Sequence, residues 1–188
     1  MAWPEFPKRP GRLLEIGCGA GNTTLWFAQR GWKVWGVDIS PTAIGWATER
    51  AANEGIEAQF AVGSVLTLEG MPDASIDLVL DGHCLHCVIG ADRAQVLASA
   101  HRVLRPQGLL CVRTMCNDLP AGSPTLSSWD ADSRCVMRDG QPSRYVGLAV
   151  SILSELRAAG FTIQRSEVLA ARDADDVDEL VALARRVP

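Results

Sequence analysis

The sequence predicts an α/β fold, a mostly parallel sheet with helices on both faces. Two stretches carry that expectation. Residues 12–40 read as a strand, a turn with Gly17, Gly19 and Gly21 at alternate positions, a helix and a second strand, which is half of a nucleotide-binding α/β unit. Residues 76–80 (IDLVL) are almost wholly apolar, as a strand covered on both faces should be.

Taken in order, residues 1–11 hold Pro4, Pro7, Pro10 and Gly11, and no regular element fits them. Leu13, Leu14 and Ile16 form the first strand. After the glycine turn, Leu25, Trp26, Phe27 and Ala28 fall at near-helical spacing, and Gly31 stops that helix. Residues 33–37 make the second strand, which ends at Asp38. Ser40 is a good N-cap and Pro41 a good first residue for a helix reaching about residue 53, closed by Gly55. Ile44, Ala47 and Ala51 give it an apolar stripe. Residues 57–62 read as a third strand, while Gly70 and Pro72 leave residues 66–74 as a loop or a single turn.

The strand at 76–80 delivers Asp81-Gly82-His83-Cys84-Leu85-His86-Cys87 to the carboxyl edge of the sheet, where open α/β sheets bind ligands. Residues 91–104 follow as an amphipathic helix, 105–108 as a turn and 109–114 as a fifth strand. Residues 117–145 hold Pro120, Gly122, Pro124, Gly140 and Pro142 and show no clear period. A stretch that long without structure of its own is usually functional or disordered. Helical spacing returns at 146–159 and stops at Gly160, and residues 161–170 read as a sixth strand. Residues 177–187 are ambiguous by period alone.

The chemistry of the glycine turn follows from its residues. Gly17 and Gly21 permit a tight turn that few side chains tolerate. Gly19 lets a ligand approach the backbone, and the helix start beyond it offers free N–H groups. A dinucleotide site wants G-x-G-x-x-G, but here the third glycine comes one residue early and Asn22 stands in its place. Glu15 adds a carboxylate that repels a pyrophosphate and welcomes an amine or a sulfonium. Asp38 is placed to accept hydrogen bonds from two ribose hydroxyls.

The run from Glu15 through Gly17, Cys18 and Gly19 to Gly21, followed by Val37-Asp38, resembles the first two motifs of class I S-adenosylmethionine-dependent methyltransferases. The stretch Leu104-Arg105-Pro106-Gln107-Gly108-Leu109-Leu110 resembles the same family. The likeness covers residues 11–114 by motif and the C-terminal third by topology. It implies a three-layer, Rossmann-like sandwich with a seven-stranded, mostly parallel sheet whose last strand is antiparallel. That topology makes 177–187 the antiparallel strand and 173–176 its hairpin loop. It implies S-adenosylmethionine as cofactor, held by Glu15, Gly17, Gly19, Gly21, Asp38, Ile39, Ser64, Val65 and Asp81. Ile39 either lies against the adenine or is an ordinary core residue. Ser64 departs from the family, which usually has an aspartate there. The family also carries a helix or two before its first strand. Here only Trp3 and Phe6 remain, so either the chain is short or its start lies upstream.

The chain of 188 residues is long enough for one domain with a real core, and 47% hydrophobic and 21% charged residues are ordinary for a globular protein. The net charge of −4 and the absence of a basic block argue against a nucleic-acid partner. No apolar run reaches membrane-spanning length and no signal-peptide pattern opens the chain. The expectation is a cytoplasmic single domain over 1–188, monomer or homodimer, with its six cysteines as thiols.

Methyl transfer from a sulfonium is an in-line displacement, so the protein mostly positions two partners, with a base if the nucleophile arrives protonated. The candidates at the sheet edge are Asp81, His83, Cys84, His86, Cys87 and Cys116. His86 and Asp81 are the candidate catalytic pair. His86 titrates near neutrality if it is a base; otherwise it packs or caps the turn. The alternative is a non-catalytic cofactor-, metal- or metalloid-binding protein that uses residues 83–87. A nicotinamide-dependent oxidoreductase is disfavoured by Glu15 and the glycine spacing. The acceptor is expected to be a small molecule bound by His83, His86, Trp129, Arg144 and Tyr145, with residues 117–145 as its cap.

Overall fold

In the computed structural model, which describes residues 3–187, the chain alternates strands and helices up to its midpoint. The elements in order are β1 (Arg12–Ile16), α1 (Asn22–Ala28), β2 (Lys33–Asp38), α2 (Pro41–Asn53), β3 (Gln59–Val62), β4 (Ile76–Gly82), α3 (Asp92–Val103) and β5 (Leu104–Met115). Next come three short strands, β6 (Trp129–Asp130), β7 (Cys135–Arg138) and β8 (Gln141–Tyr145), then α4 (Ala149–Ala158), β9 (Phe161–Leu169) and β10 (Glu179–Arg186). Residues 1, 2 and 188, which the single-domain expectation also spans, lie outside the described residues.

The main sheet has seven strands in the order β3-β2-β1-β4-β5-β10-β9. Its first five strands pair in parallel, and β10 pairs antiparallel with both β5 and β9. This is the sheet that the methyltransferase resemblance implied. The order reverses beside β1, between β2 and β4, and open sheets bind ligands at such a switch point. Register sets the site there: Ile16 lies opposite Val37 on one side and Asp81 on the other. Gly17, Asp38 and Gly82 therefore stand along one edge of the sheet, at the carboxyl ends of β1, β2 and β4.

Two apolar layers hold the sheet. Leu14, Ile16, Val79, Leu110 and Val112 pack with Val96, Leu97 and Ala100 of α3 and Ile152 and Leu156 of α4. On the other face Leu13, Leu78, Leu80 and Val181 pack with Phe27, Trp32 and Trp3. Trp3, in a segment of turns and bends as expected, is a buried plug on that face. Among the described residues no helix is long and apolar enough to cross a membrane.

Three expectations change. Residues 105–108 are a bulge inside β5 rather than a turn before it: Leu104 pairs with Ile76 and Leu109 with Leu78. Buried Leu104 takes a strand position directly after α3, and Gln107 adopts φ 68° to loop out. The helix expected from 146 begins at Ala149, because the two residues before Leu148 close a neck. The Val146 N–H bonds the Arg134 carbonyl, and the Gly147 carbonyl takes the Asn117 N–H. Residues 117–145 are neither a bare loop nor disordered, for they hold a 3-10 turn at Pro124–Ser128 and the sheet β6-β7-β8. Its hairpin turns at Asp139-Gly140 with φ of 51° and 73°, the left-handed pair that a tight hairpin demands.

Candidate active site

The first wall of the site is the glycine turn. Gly17 adopts φ 64°, and a Cβ there would meet Cys84 Cβ at 2.6 Å, so only glycine fits. At Gly19 a Cβ would meet nothing within 4 Å, which leaves the apex of the turn open to a ligand. The Gly19 N–H donates to Asp38 Oδ2 at 2.8 Å, and the Ser40 N–H donates to Oδ1 at 2.8 Å. A carboxylate has about four acceptor positions, so Asp38 is held rigid and keeps capacity for two hydroxyl donors. Ile39 is 78% exposed, which removes its reading as a core residue. It stands over a cavity of about 460 Å³ with Gly17, Asp38, Ser64, Val65, His83, Cys84 and Cys87. The Ser64 hydroxyl accepts the Leu66 N–H at 3.2 Å and tightens its own turn.

Two buried carboxyls stand behind this wall. Glu15 accepts a hydrogen bond from the Thr24 hydroxyl, and burial lifts its pKa from 4.5 to about 7. Asp81, 1% exposed, accepts the N–H groups of Cys84 at 2.6 Å and Leu85 at 3.1 Å through Oδ1. Burial lifts Asp81 to about 7 against the pull of those bonds. Its Oδ2 has no partner among the described residues. Burial thus holds both groups near the midpoint of their titration at pH 7.

The second wall is the turn after β4. His83 adopts φ 80° and sets Nε2 3.3 Å from Glu179 Oε1. Burial lowers its pKa. It also borders a second cavity of about 480 Å³ on the α1 face, with Trp26, Phe27 and Arg113. His86 is 4% exposed, and its Nδ1 has no partner among the described residues. Burial, then His83, Arg144 and Arg93, push its pKa down to about 4. The expectation that His86 titrates near neutrality is thereby corrected: it is neutral at pH 7 and a weak base.

The cap approaches this wall through β8. Arg144 is exposed and close enough to depress both His86 and Cys87. The Tyr145 ring lies 4.4 Å from the Arg93 guanidinium. Trp129 is not among the residues lining the cavity; its ring faces Arg134 at 5.5 Å, at the neck of the cap. Arg134 donates to the Val146 carbonyl at 2.9 Å.

The structure thus brings Gly17, Asp38, Ile39, Ser64, Val65 and His83 around one cavity, puts Glu15 and Asp81 behind it, and sets His86, Arg144 and Tyr145 beside its wall. Cys116 is buried, and among the described residues no group of three or more His, Cys, Asp or Glu could hold a metal ion. A further cavity, about 710 Å³, opens by Arg12, Lys33 and Gln59, at the amino ends of the parallel strands and away from these groups. Sequence reasoning missed Arg93 and Asp92. Asp92 lines the cavity. Arg93 is 5% exposed and sits three residues before Val96 on the buried stripe of α3, and that misplaced charge was the available signal.

Known proteins agree with this geometry. Over 111 residues the chain is 32% identical to a ribosomal RNA small subunit methyltransferase C of Alcanivorax borkumensis, covering 54% of this chain and 31% of that protein. Over 92 residues it is 37% identical to an ajmaline N-methyltransferase of Rauvolfia serpentina, covering 45% of this chain and 31% of that one. The chain therefore spans about a third of the length of either relative. A solved Burkholderia thailandensis 1,6-didemethyltoxoflavin-N1-methyltransferase, with 1,6-didemethyltoxoflavin and S-adenosylhomocysteine bound, superposes with a TM-score of 0.77 at 27% identity, over 96% of this chain and 72% of that one. Residues 14–112, more than half of the chain, match the methyltransferase domain family, and the chain belongs to the class I S-adenosylmethionine-dependent methyltransferases.

Proposed function

We propose that this chain transfers the methyl group of S-adenosylmethionine to a small-molecule acceptor held between the turn at residues 83–87 and the cap at 117–145. The observation that carries the reading is the placement of β8: Arg144 acts on His86 and Cys87, and Tyr145 stacks on Arg93 beside the same turn. His83, Cys84 and Cys87 of that turn line the cavity that would hold the cofactor, so cofactor and acceptor would share the turn as a wall. The solved methyltransferase with 1,6-didemethyltoxoflavin and S-adenosylhomocysteine bound supports this use of the fold.

The residues fit the cofactor. Gly19 leaves the approach open, Asp38 offers two acceptors, exposed Ile39 gives an apolar cover, and Glu15 and Asp81 offer carboxyls that a sulfonium or ammonium would ionise. When bound, the cofactor supplies an activated methyl carbon; the acceptor's lone pair forms the new bond as the C–S pair leaves to sulfur. What the chain contributes is alignment and the exclusion of water. His86, neutral and weakly basic, lines the wall and donates or accepts one hydrogen bond rather than taking a proton. Asp81 fixes the turn through Cys84 and Leu85. Arg144, exposed on the cap, offers a planar fork to a carboxylate or phosphate on the acceptor. The net charge of −4 supports a small acceptor over RNA.

An acceptor screen that reads S-adenosylhomocysteine formation from small acids, phenols, amines, thiols and RNA tests this. We expect turnover with a small anionic acceptor. Replacing Arg144 and Tyr145 by alanine should lower that turnover about a hundredfold, as misplacing a reactant does, with cofactor affinity within about fivefold of wild type. Turnover on RNA alone, or turnover untouched by the double substitution, rejects the reading.

A further inference from the structure

The buried guanidinium of Arg93 joins three separate parts of the chain. Its Nη1 donates to the Leu85 carbonyl at 2.6 Å and to the Val88 carbonyl at 3.3 Å. Its Nε and Nη2 donate to Glu155 Oε2 of α4 at 3.1 and 2.6 Å. Its face lies 4.4 Å from the Tyr145 ring at the end of the cap strand β8. Gly147 leaves room for that ring, since a Cβ there would stand 2.5 Å from it. One end of the guanidinium thus holds the segment 85–88, while its face holds the cap. Val88 lines the cofactor cavity, and so do His83, Cys84 and Cys87 on the same turn.

A buried charge is costly unless it is paired and hydrogen-bonded. A leucine at this position would fill the stripe of α3 without that cost. Only an arginine offers a planar fork for carbonyls and carboxylate together with a flat face for an aromatic ring. We infer that Arg93 is a positioning residue that couples the cofactor cavity to the cap, so that cofactor binding on one side of the 83–88 segment orders β7 and β8 on the other. The inference rests on the proposed acceptor role of the cap for its purpose, but the coupling itself is measured without any acceptor. By linkage it is reciprocal: an ordered cap also holds the cofactor more tightly.

The experiment is hydrogen exchange of the whole chain with and without saturating S-adenosylhomocysteine. In the wild type, the ligand should slow the amides of residues 135–145 about fivefold or more, the lower range of coupling between sites. In Arg93→Lys this slowing should disappear, while calorimetry shows S-adenosylhomocysteine affinity within about fivefold of wild type, the part that the lost coupling accounts for. Tyr145→Ala should reproduce the loss and Tyr145→Phe, which keeps the ring, should restore it. If Arg93→Lys unfolds the chain, the two Tyr145 variants decide alone. The inference is overturned if the wild-type cap ignores the ligand, if Arg93→Lys or Tyr145→Ala keeps the slowing, or if Tyr145→Phe loses it. Ligand-dependent slowing in a chain whose turnover survives the cap substitutions would keep this coupling and remove only the acceptor role.

Discussion

The two walls of the cavity proposed for the cofactor are built in different ways. The glycine-turn wall is closed within residues 15–50: Asp38 holds Gly19 and Ser40, Thr24 holds Glu15, and Arg50 of α2 donates to the Ala20 carbonyl at 3.2 Å. The wall at 83–89 hangs on distant parts of the chain. Arg93 ties it to Glu155, His83 reaches Glu179, and Arg144 comes in from the cap. A wall closed locally is the same whatever else binds. A wall closed by three remote segments changes when any of them moves, which suits the side proposed to receive the acceptor.

Gly17 is the joint between the walls, and it carries the largest expected effect. Its absent Cβ faces Cys84 at 2.6 Å, and its φ is 64°. Gly17→Ala adds left-handed strain and a clash with the opposite wall, for a loss of about 2–4 kcal/mol in stability. Gly19→Ala carries a similar strain at φ 52° with nothing within 4 Å, so it should cost about 1–2 kcal/mol. Both should lose S-adenosylhomocysteine binding. Chemical denaturation and calorimetry separate the two quantities. If Gly19→Ala destabilises as much as Gly17→Ala, the walls do not meet at Gly17.

An intermediate effect is electrostatic. Burial raises Glu15 from 4.5 and Asp81 from 3.8, both to about 7. The folded chain therefore holds more protons than the unfolded chain between those limits. Stability from these two groups is full below their unfolded values and is lost as pH rises through 7. A cationic ligand acts in the opposite sense, because it favours the ionised carboxyls. S-adenosylmethionine binding should tighten about tenfold between pH 6 and 8, with protons released on binding. S-adenosylhomocysteine, which lacks the sulfonium, should gain less, and Glu15→Gln should flatten the slope. Calorimetry in buffers of different ionisation enthalpy measures both. A slope of the opposite sign would mean that the carboxyls are ionised without the ligand and face something else.

How much was legible in the sequence follows the same division. The geometry of the local wall was legible because Gly17, Gly19 and Gly21 set the turn through positive φ and Asp38, at the end of β2, meets it through its carboxylate. The seven-stranded sheet came from the same motifs through the family resemblance. β10 resisted a reading by period because it lies between β5 and β9 and its middle residues are buried on both faces. The remote wall was legible only as a set of residue types. Nothing in the neighbourhood of His86 says that Arg93 and Arg144 will converge on it and that burial will hold its pKa near 4. The cap fold was readable in part, because Asp139-Gly140 is a hairpin signal between two strand-length runs. The run of prolines and glycines around it concealed that signal.

The smallest expected effect concerns the thiols of the remote wall. Cys84 is half-buried with its Sγ against the position a Gly17 Cβ would take, and Cys87 is exposed at the cavity rim. Burial raises both thiols above the ordinary cysteine value, so at pH 7 each is a neutral S–H. The thiolate is the form that binds metal or attacks an electrophile, and this wall disfavours it. Serine in place of either sulfur is slightly smaller and equally uncharged. Cys84→Ser with Cys87→Ser should therefore change S-adenosylhomocysteine affinity by about threefold at most, with a stability cost near about 1 kcal/mol from the looser contact at Gly17. Calorimetry and elemental analysis of protein purified with its thiols reduced provide the check. Stoichiometric zinc in the wild type that the double variant loses would show that the wall is closed by a metal rather than by Arg93. In that case the contrast between a locally closed wall and a remotely closed one would have to be redrawn around residues 83–87.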